Sequence, residues 1–446
     1  DYYLKKFRCE TIFRANSMAV TSTSALAVSS CGGSSGGYDT QVQGFPDSYV
    51  APTSNFVAPT EIDPNFEILK ANYNKPYWVA SLEMDQWEVN IIPMLEGFER
   101  VIHYNFPQSA PEYDTFAITG WGPATEEMKT ATREILAKFE DILDVTFMES
   151  DDSRATNVIS VSTSSQTQSA GFSFFPNNFF EVGMDVFVAT DYAGPSFLGA
   201  SSLTNYEYEV LVHEIGHALG LKHPFEASGA NTAILSSFED NTRNTAMSYD
   251  EDPWTFNGTL RSLDWMTLTK FYGVKSTYMP GNDIYEFSSA GGIFIIDGAG
   301  VDTVSAHDAL YDVTIDLRSG AHSYLGTKSR YITDANQLTI SHGSNIENVI
   351  TGNGNDSVIG TDFDNLISTG IGSDTIFAGA GADTINSGSG ADYIDLSEFV
   401  QSRDTIVLNS STLDFGIDTI YGFEQGALGD IFDLSEILSS SFALFP

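Results

Sequence analysis

A chain of 446 residues is too long for one ordinary hydrophobic core, and its 42% hydrophobic share lets most of it fold as globular protein. Asp and Glu outnumber Lys and Arg by 60 to 20, a formal net charge of -40 that repels phosphate backbones and argues against a nucleic-acid partner. Such a balance suits a chain that gathers cations or works in a salty exterior, and equally a plain solvated acidic surface.

The first segment, 1–31, carries Lys5, Lys6 and Arg8 and then a mildly apolar run ending in Ala27-Val28-Ser29-Ser30-Cys31-Gly32-Gly33. It is similar to a bacterial lipoprotein signal, with Cys31 as the lipid anchor, although Arg14 and Asn16 interrupt the apolar run. The alternative is a disordered leader. No stretch reaches the roughly 20 apolar residues that span a bilayer. Cys9 and Cys31 are the only cysteines, so the globular part has no disulfide, and bound metal is the obvious substitute as a staple. Residues 32–75, rich in Gly, Ser, Pro and Thr, read as a linker or pro-segment.

Beyond them, Val101–Phe106 reads as a strand closed by Pro107. Thr125–Leu143 reads as a helix from Met128, Ile135, Leu136, Phe139 and Ile142, Val158–Ser162 as a strand, and Tyr206–Leu221 as a buried helix. This order predicts an α/β or α+β domain over 76–273. From 274 to 446, short β-rich pieces alternate with Gly/Asn/Asp turns, which predicts an all-β domain.

Within the second helix runs His213-Glu214-Ile215-Gly216-His217-Ala218-Leu219-Gly220-Leu221-Lys222-His223. Histidines four apart leave one helix face about 40° from each other, as zinc ligands require. On a continuous helix His223 would lie on the order of 15 Å beyond His213. Gly220 supplies a break that lets the chain turn and bring His223 back to the metal. Glu214 is then placed to act on the water and not on the metal.

In the all-β region Asp356, Asn365, Asp374, Asp383 and Asp392 recur every nine residues, each followed two positions later by Val358, Ile367, Ile376, Ile385 or Ile394. Gly352/Gly354, Gly370/Gly372, Gly379/Gly381 and Gly388/Gly390 keep the same step. This period means turn, strand, turn, strand around a parallel coil, with the apolar residue inward and calcium held by aspartate and backbone oxygens. Asp356, Asp374 and Asp392 should line one edge and Asp383 the other. Asn365, Thr361 and Phe363 break the pattern, so that turn should bind calcium weakly or not at all.

The extended histidine motif resembles the metzincin signature, and Thr245-Ala246-Met247-Ser248-Tyr249 looks like the methionine turn beneath its metal. With Pro224 and Tyr249, the region is similar to the serralysin family of secreted bacterial proteases. The resemblance implies metal-assisted peptide hydrolysis, with Glu214 moving the proton and Tyr249 a zinc ligand at rest that swings to the oxyanion. It also implies an extended substrate along an edge strand, either Val158–Ser162 or Gly171–Phe175. Asp297-Gly298-Ala299-Gly300-Val301-Asp302 resembles the family's calcium loop, with Asp297 and Asp302 as ligands, and Ser341–Asn348 its lead-in to the repeats. Two departures are a longer N-terminal extension and the lack of a recognisable C-terminal export signal in Ser439–Pro446.

The expectation is a metzincin-like catalytic domain followed by a right-handed parallel β-roll, in a secreted, monomeric zinc endopeptidase with several structural calcium ions and protein or peptide substrates. The rival is a calcium-dependent adhesion protein with a dead protease domain, which the intact His213, Glu214, His217, His223 and Tyr249 oppose. A narrow processing enzyme is a third reading. His103, His307, His322 and His342 are read as ordinary strand or loop residues.

Overall fold

The computed structural model describes residues 6–14, 26–34, 75–85, 90–92, 95, 100–111, 118–150, 157–166, 169–177, 183–190, 205–250, 258–408 and 416–442. Of the linker read over 32–75, residues 35–74 lie outside them. Strands β1 (Lys6–Arg14) and β2 (Leu26–Ser34) pair as an antiparallel ribbon that begins in the stretch read as leader and ends in the first residues read as linker. Then come the short helix α1 (Tyr77–Leu82), β3 (Val101–Asn105), β4 (Gly122–Pro123), α2 (Glu126–Ile142), β5 (Thr146–Glu149), β6 (Ile159–Ser164), β7 (Gly171–Phe174), β8 (Val186–Ala189), α3 (Asn205–Ala218) and α4 (Ser262–Tyr272).

These strands form one sheet in the order β1-β2-β7-β8-β6-β3-β5, with β4 beside β6. Pairs β3–β5, β3–β6 and β6–β8 are parallel, while β7 runs antiparallel to β8. Helix α2 starts where Thr125 accepts the Met128 amide, with Glu126 and Glu127 favourable in the first turn. It buries Met128, Ala131, Ile135, Leu136 and Phe139, whereas Ile142 is only half-buried and the cap residue Leu143 takes the inward place.

One expectation needs correction: Val158–Ser162 cannot be an edge, because β6 lies between β8 and β3. The other candidate, β7, is not a free edge either: it lies between β8 and β2, with Cys31 opposite Gly171.

The second region is mainly a coil of parallel strands forming two sheets, one of which also holds His322–Leu325, antiparallel to both Val313–Asp316 and Gln337–Ile340. One runs from Ile284–Glu286 through Thr303–Ser305, Asn348–Ile350, Leu366–Ser368, Thr384–Asn386 and Thr405–Val407 to Ile431–Asp433. The other contains Val313–Asp316, Ser357–Ile359, Thr375–Phe377, Tyr393–Asp395 and Thr419–Tyr421. Val349, Ile367, Ile385 and Ile406 stack in register in the first sheet, and Val358, Ile376, Ile394 and Ile420 in the second. Alternate repeats therefore feed opposite sheets, and their apolar residues meet in one core. Not all is β: α5 (Ser435–Phe442) is a short helix.

Among the described residues, one large hydrophobic core holds residues from Trp78 to Tyr272 and another from Phe287 to Ile406, with a small third cluster of Phe172, Phe174 and Phe187. Ile332, from a loop of the second region, joins the first core. Beside it the Tyr77 hydroxyl accepts the Ile332 amide and donates to Glu239, which also accepts from the Thr333 hydroxyl. No described helix is long and apolar enough to cross a membrane.

Candidate metal centre

Helix α3 ends three residues before the predicted Leu221, and its ending builds the site. Gly220 adopts φ +101°, its amide donates to the His217 carbonyl at 2.9 Å, and the Leu221 amide donates to the Gly216 carbonyl at 3.0 Å. This is the paired closure in which a left-handed glycine satisfies the last helical carbonyls and reverses the chain. The reversal carries His223 back over the helix face that bears His213 and His217.

The three imidazoles are buried and present a nitrogen each, all within 4.8 Å of one another. Nε2 of His223 stands 2.9 Å from Nε2 of His217 and 3.3 Å from that of His213. Nδ1 of His213 bonds the Ala246 carbonyl at 2.7 Å, and Nδ1 of His217 bonds the Leu221 carbonyl at 2.6 Å. A carbonyl only accepts, so these rings are assigned as the tautomer with the proton on Nδ1 and the lone pair on Nε2. Nδ1 of His223 faces Glu226 Oε2 at 3.3 Å, which favours the same tautomer. Three inward lone pairs suit a cation, and an outer partner on each ring fixes its orientation. Burial pulls the His213 imidazole down to about 4 and those of His217 and His223 well below their ordinary value. All three are thus neutral at neutral pH, the form that ligates metal.

Below the rings lies the turn at Thr245–Tyr249. A Cβ on Gly216 would come within 2.9 Å of Met247 Sδ, so the missing side chain lets the methionine press against α3. Asp264, from α4, holds the turn: it accepts from the Thr245 hydroxyl at 2.5 Å, the Ala246 amide at 2.7 Å and the Arg261 amide at 2.8 Å. Burial pushes its carboxyl up to about 6 against these bonds. The Ala246 carbonyl then orients His213, so α4 reaches the metal site through two links.

Tyr249 places its hydroxyl 2.6 Å from His223 Nε2, with its ring stacked on that of His213. Phe225 lies nearly parallel over His223, at 10° and 5.1 Å between ring centroids. Glu214 is fully buried on the next position of the helix, where a Cβ on Gly171 of β7 would lie 2.8 Å from its Oε1. Strand β7 therefore passes directly over this carboxylate.

The loop candidates Asp297 and Asp302 come together, joined by Asp283, which the motif did not include. Asp297 accepts from the Tyr285 hydroxyl, and Asp302 Oδ1 accepts the Asp283 amide at 2.7 Å while its Oδ2 is buried with no hydrogen-bond partner. Burial first, and the Asp302 charge after the Tyr285 hydrogen bond, set the Asp297 carboxyl at about 6.

In the repeats, Asp356, Asp374 and Asp392 fall in one row and Asp383 in the other. Oδ1 of Asp374 accepts the Asp356 amide, Oδ1 of Asp392 the Asp374 amide, and Oδ1 of Asp383 the Asn365 amide. The second oxygens of Asp356, Asp374 and Asp383 are buried with no hydrogen-bond partner. Buried anionic oxygens of this kind fit calcium, a hard cation that takes oxygen ligands. Gly352, Gly354, Gly370, Gly372, Gly379, Gly381, Gly388 and Gly390 lie in the turns beside them. There the coils nearly touch: a Cβ on Gly390 would fall 1.6 Å from the Gly372 carbonyl oxygen. Asn365 closes on Thr361 through both its amide groups and presents nitrogen where an aspartate has a second oxygen. Asp404, Asp418 and Asp430 continue both rows, and the nine-residue step missed them because the spacing widens to 21 and 26 residues per coil.

Two family models match separate parts of the chain. A reprolysin-like family model of M12B metallopeptidases matches residues 149–254, and the RTX calcium-binding nonapeptide repeat matches 350–384 and 359–394. Serralysin of Proteus mirabilis is 27% identical over 303 residues, covering 60% of this chain and 60% of that protein. Serralysin G of Dickeya chrysanthemi is 27% identical over 308 residues, or 61% of each. Serralysin C of the same organism is 30% identical over 181 residues, 34% of this chain and 36% of its own. The matches thus span about 60% of the length of the first two relatives.

Proposed function

We propose that this chain, which joins a reprolysin-like metallopeptidase region to calcium-binding repeats and so has the make-up of the serralysin family, is a zinc-dependent endopeptidase acting on extracellular proteins. The observation that carries the reading is the convergence of three buried imidazole nitrogens within 4.8 Å of one another, with Glu214 buried at the next position of the same helix. Held by His213, His217 and His223, zinc would supply a Lewis acid for the scissile carbonyl and make water more acidic.

The remaining work falls to the chain. Glu214 takes the proton of the attacking water and returns it to the leaving amine. The Tyr249 hydroxyl, close enough to the ligands to share their site, donates to the oxyanion as charge develops. Strand β7 would give the substrate a backbone to pair with once Leu26–Ser34, which lies antiparallel along it and occupies that side, is displaced or removed. The same proposal takes 76–273 as the peptidase region and 274–446 as the calcium region, with calcium stiffening the coils. Work outside the cell, as a monomer, is part of the same proposal. So is a lipid on Cys31, which metabolic labelling with a fatty-acid analogue would detect.

The test is digestion of an unfolded protein by the full chain with zinc and calcium, beside a Glu214→Ala control. Hydrolysis that stops in the control and under a zinc chelator is expected. Activity that survives either would sink the mechanism, and zinc binding without hydrolysis would favour the adhesion reading.

A further inference from the structure

Between Leu221 and His223 sits a lysine with only 2% of its surface exposed. The Lys222 ammonium donates to backbone carbonyls alone: Ser81 at 2.6 Å, Glu226 at 2.8 Å, Ala233 at 2.8 Å and its neighbour His223 at 3.3 Å. Nζ has at most three N–H donors for these four carbonyl oxygens, the 3.3 Å contact being the weakest, and burial pulls the amine down to about 7. Burying a charge in this way is costly unless it is well satisfied, which makes an incidental lysine here improbable on energetic grounds.

What the cage ties together gives it a purpose. Ser81 belongs to the last turn of α1, while Glu226 and Ala233 lie along the loop that follows the third histidine. Glu226 also turns its carboxylate to His223 Nδ1. The same junction is closed by the Lys222 amide on the Leu82 carbonyl at 2.7 Å and by Asn231, which donates to the Ala80 and Glu83 carbonyls. His213 and His217 are held by a helix, but His223 follows a helix-ending glycine and needs another anchor.

We propose that Lys222 is a positioning residue for the metal centre: its amino group, through these hydrogen bonds, fixes the backbone of His223 and Glu226, and so holds the third imidazole in ligating position before metal arrives. The inference rests on the zinc reading of the site. Its test therefore reads metal binding and not peptide hydrolysis.

The full chain and its Lys222→Met and Lys222→Gln variants are loaded with zinc against a competing chelator, and separately with cobalt to record the visible spectrum. His223→Ala gives the reference for a site lacking its third ligand, and circular dichroism reports folding. The expected result is zinc affinity lower by about 10- to 100-fold in folded Lys222→Met, the range for lost outer-shell partners. Its cobalt spectrum should move towards that of His223→Ala. Lys222→Gln, which keeps two N–H donors, should fall between and remains informative where Lys222→Met does not fold. A folded variant with parental affinity within twofold and a parental cobalt spectrum would overturn the proposal, since a purely structural lysine lowers stability without changing the ligand set. A parent chain that binds neither metal would overturn the zinc reading itself.

Discussion

The hydroxyl of Tyr249 lies 2.6 Å from His223 Nε2, the same nitrogen that faces His213 and His217. The phenol therefore competes for the space a metal would share with substrate. For Tyr249→Phe we expect zinc content unchanged after dialysis, KM little altered, and kcat lower by about 100- to 1,000-fold, the usual cost of one oxyanion donor. Steady-state kinetics with parallel metal analysis would check it; a variant with parental kcat would remove Tyr249 from the chemistry.

Glu214 is fully buried beneath β7, and its carboxylate is not among the ligand atoms that cluster with the three imidazoles. Glu214→Gln preserves its shape and removes its basicity. Turnover should drop by about 100- to 10,000-fold, while zinc affinity stays at the parental level. Loss of zinc in this variant would instead make Glu214 a ligand.

Asp264 ties α4 to the turn that orients His213. Substituting Asp264→Ala strands the Thr245 hydroxyl and the Ala246 and Arg261 amides in a buried setting. At roughly 1 to 3 kcal/mol per unsatisfied group, part of which relaxation recovers, a loss of about 3 kcal/mol is expected. Urea denaturation of the zinc-loaded protein measures it, with parental stability as the contrary outcome.

Calcium should matter most at the aspartates with buried second oxygens. Asp374→Ala removes one such oxygen and the acceptor of the Asp356 amide, so about 1 to 3 kcal/mol of repeat stability should go with it. The calcium-induced rise in Tm should shrink as well. Asn365→Ala, which removes no carboxylate, should leave that calcium-dependent rise nearly intact. Differential scanning calorimetry with and without calcium separates the two.

Acid should act oppositely on the calcium-free and calcium-loaded forms. Burial pushes the carboxyls of Asp374 and Asp404 up to about 6 and that of Asp383 up to about 8, with neighbouring acids adding to the rise. Their folded pKa exceeds the unfolded one, so protonation favours the fold: this stability is complete below about pH 4 and is lost as pH rises through 6 to 8. The calcium-free repeats should thus melt higher at pH 5 than at pH 8. Calcium affinity should run the other way, with proton release on binding visible by calorimetry in two buffers.

The sequence revealed what lies close along the chain. His213, His217, Gly220 and His223 sit within one turn-and-a-half of helix and its ending, so local geometry alone brings them together. The repeats were legible for the same reason, since a coil repeats its own neighbourhood. What escaped comes from afar: Asp264 reaches the Met247 turn from another helix, and Asp283 meets Asp297 and Asp302 across a strand. Likewise the cage of Lys222 draws on Ser81, 141 residues earlier, and no periodicity announces that contact. The wrong edge, Val158–Ser162, failed because alternation shows which face of a strand is buried and not which strands flank it.

The rows of aspartates also give the coil an arrow. Asp374 seals the amide of Asp356, Asp392 that of Asp374 and Asp418 that of Asp392; across the coil, Asp383, Asp404 and Asp430 follow the same rule. Each turn is finished by the one after it. A chain threaded through a narrow opening N-terminus first would carry every turn open until its successor emerged. Threaded the other way, it would add each new turn to a finished one, so direction of travel alone would decide when the stack can close.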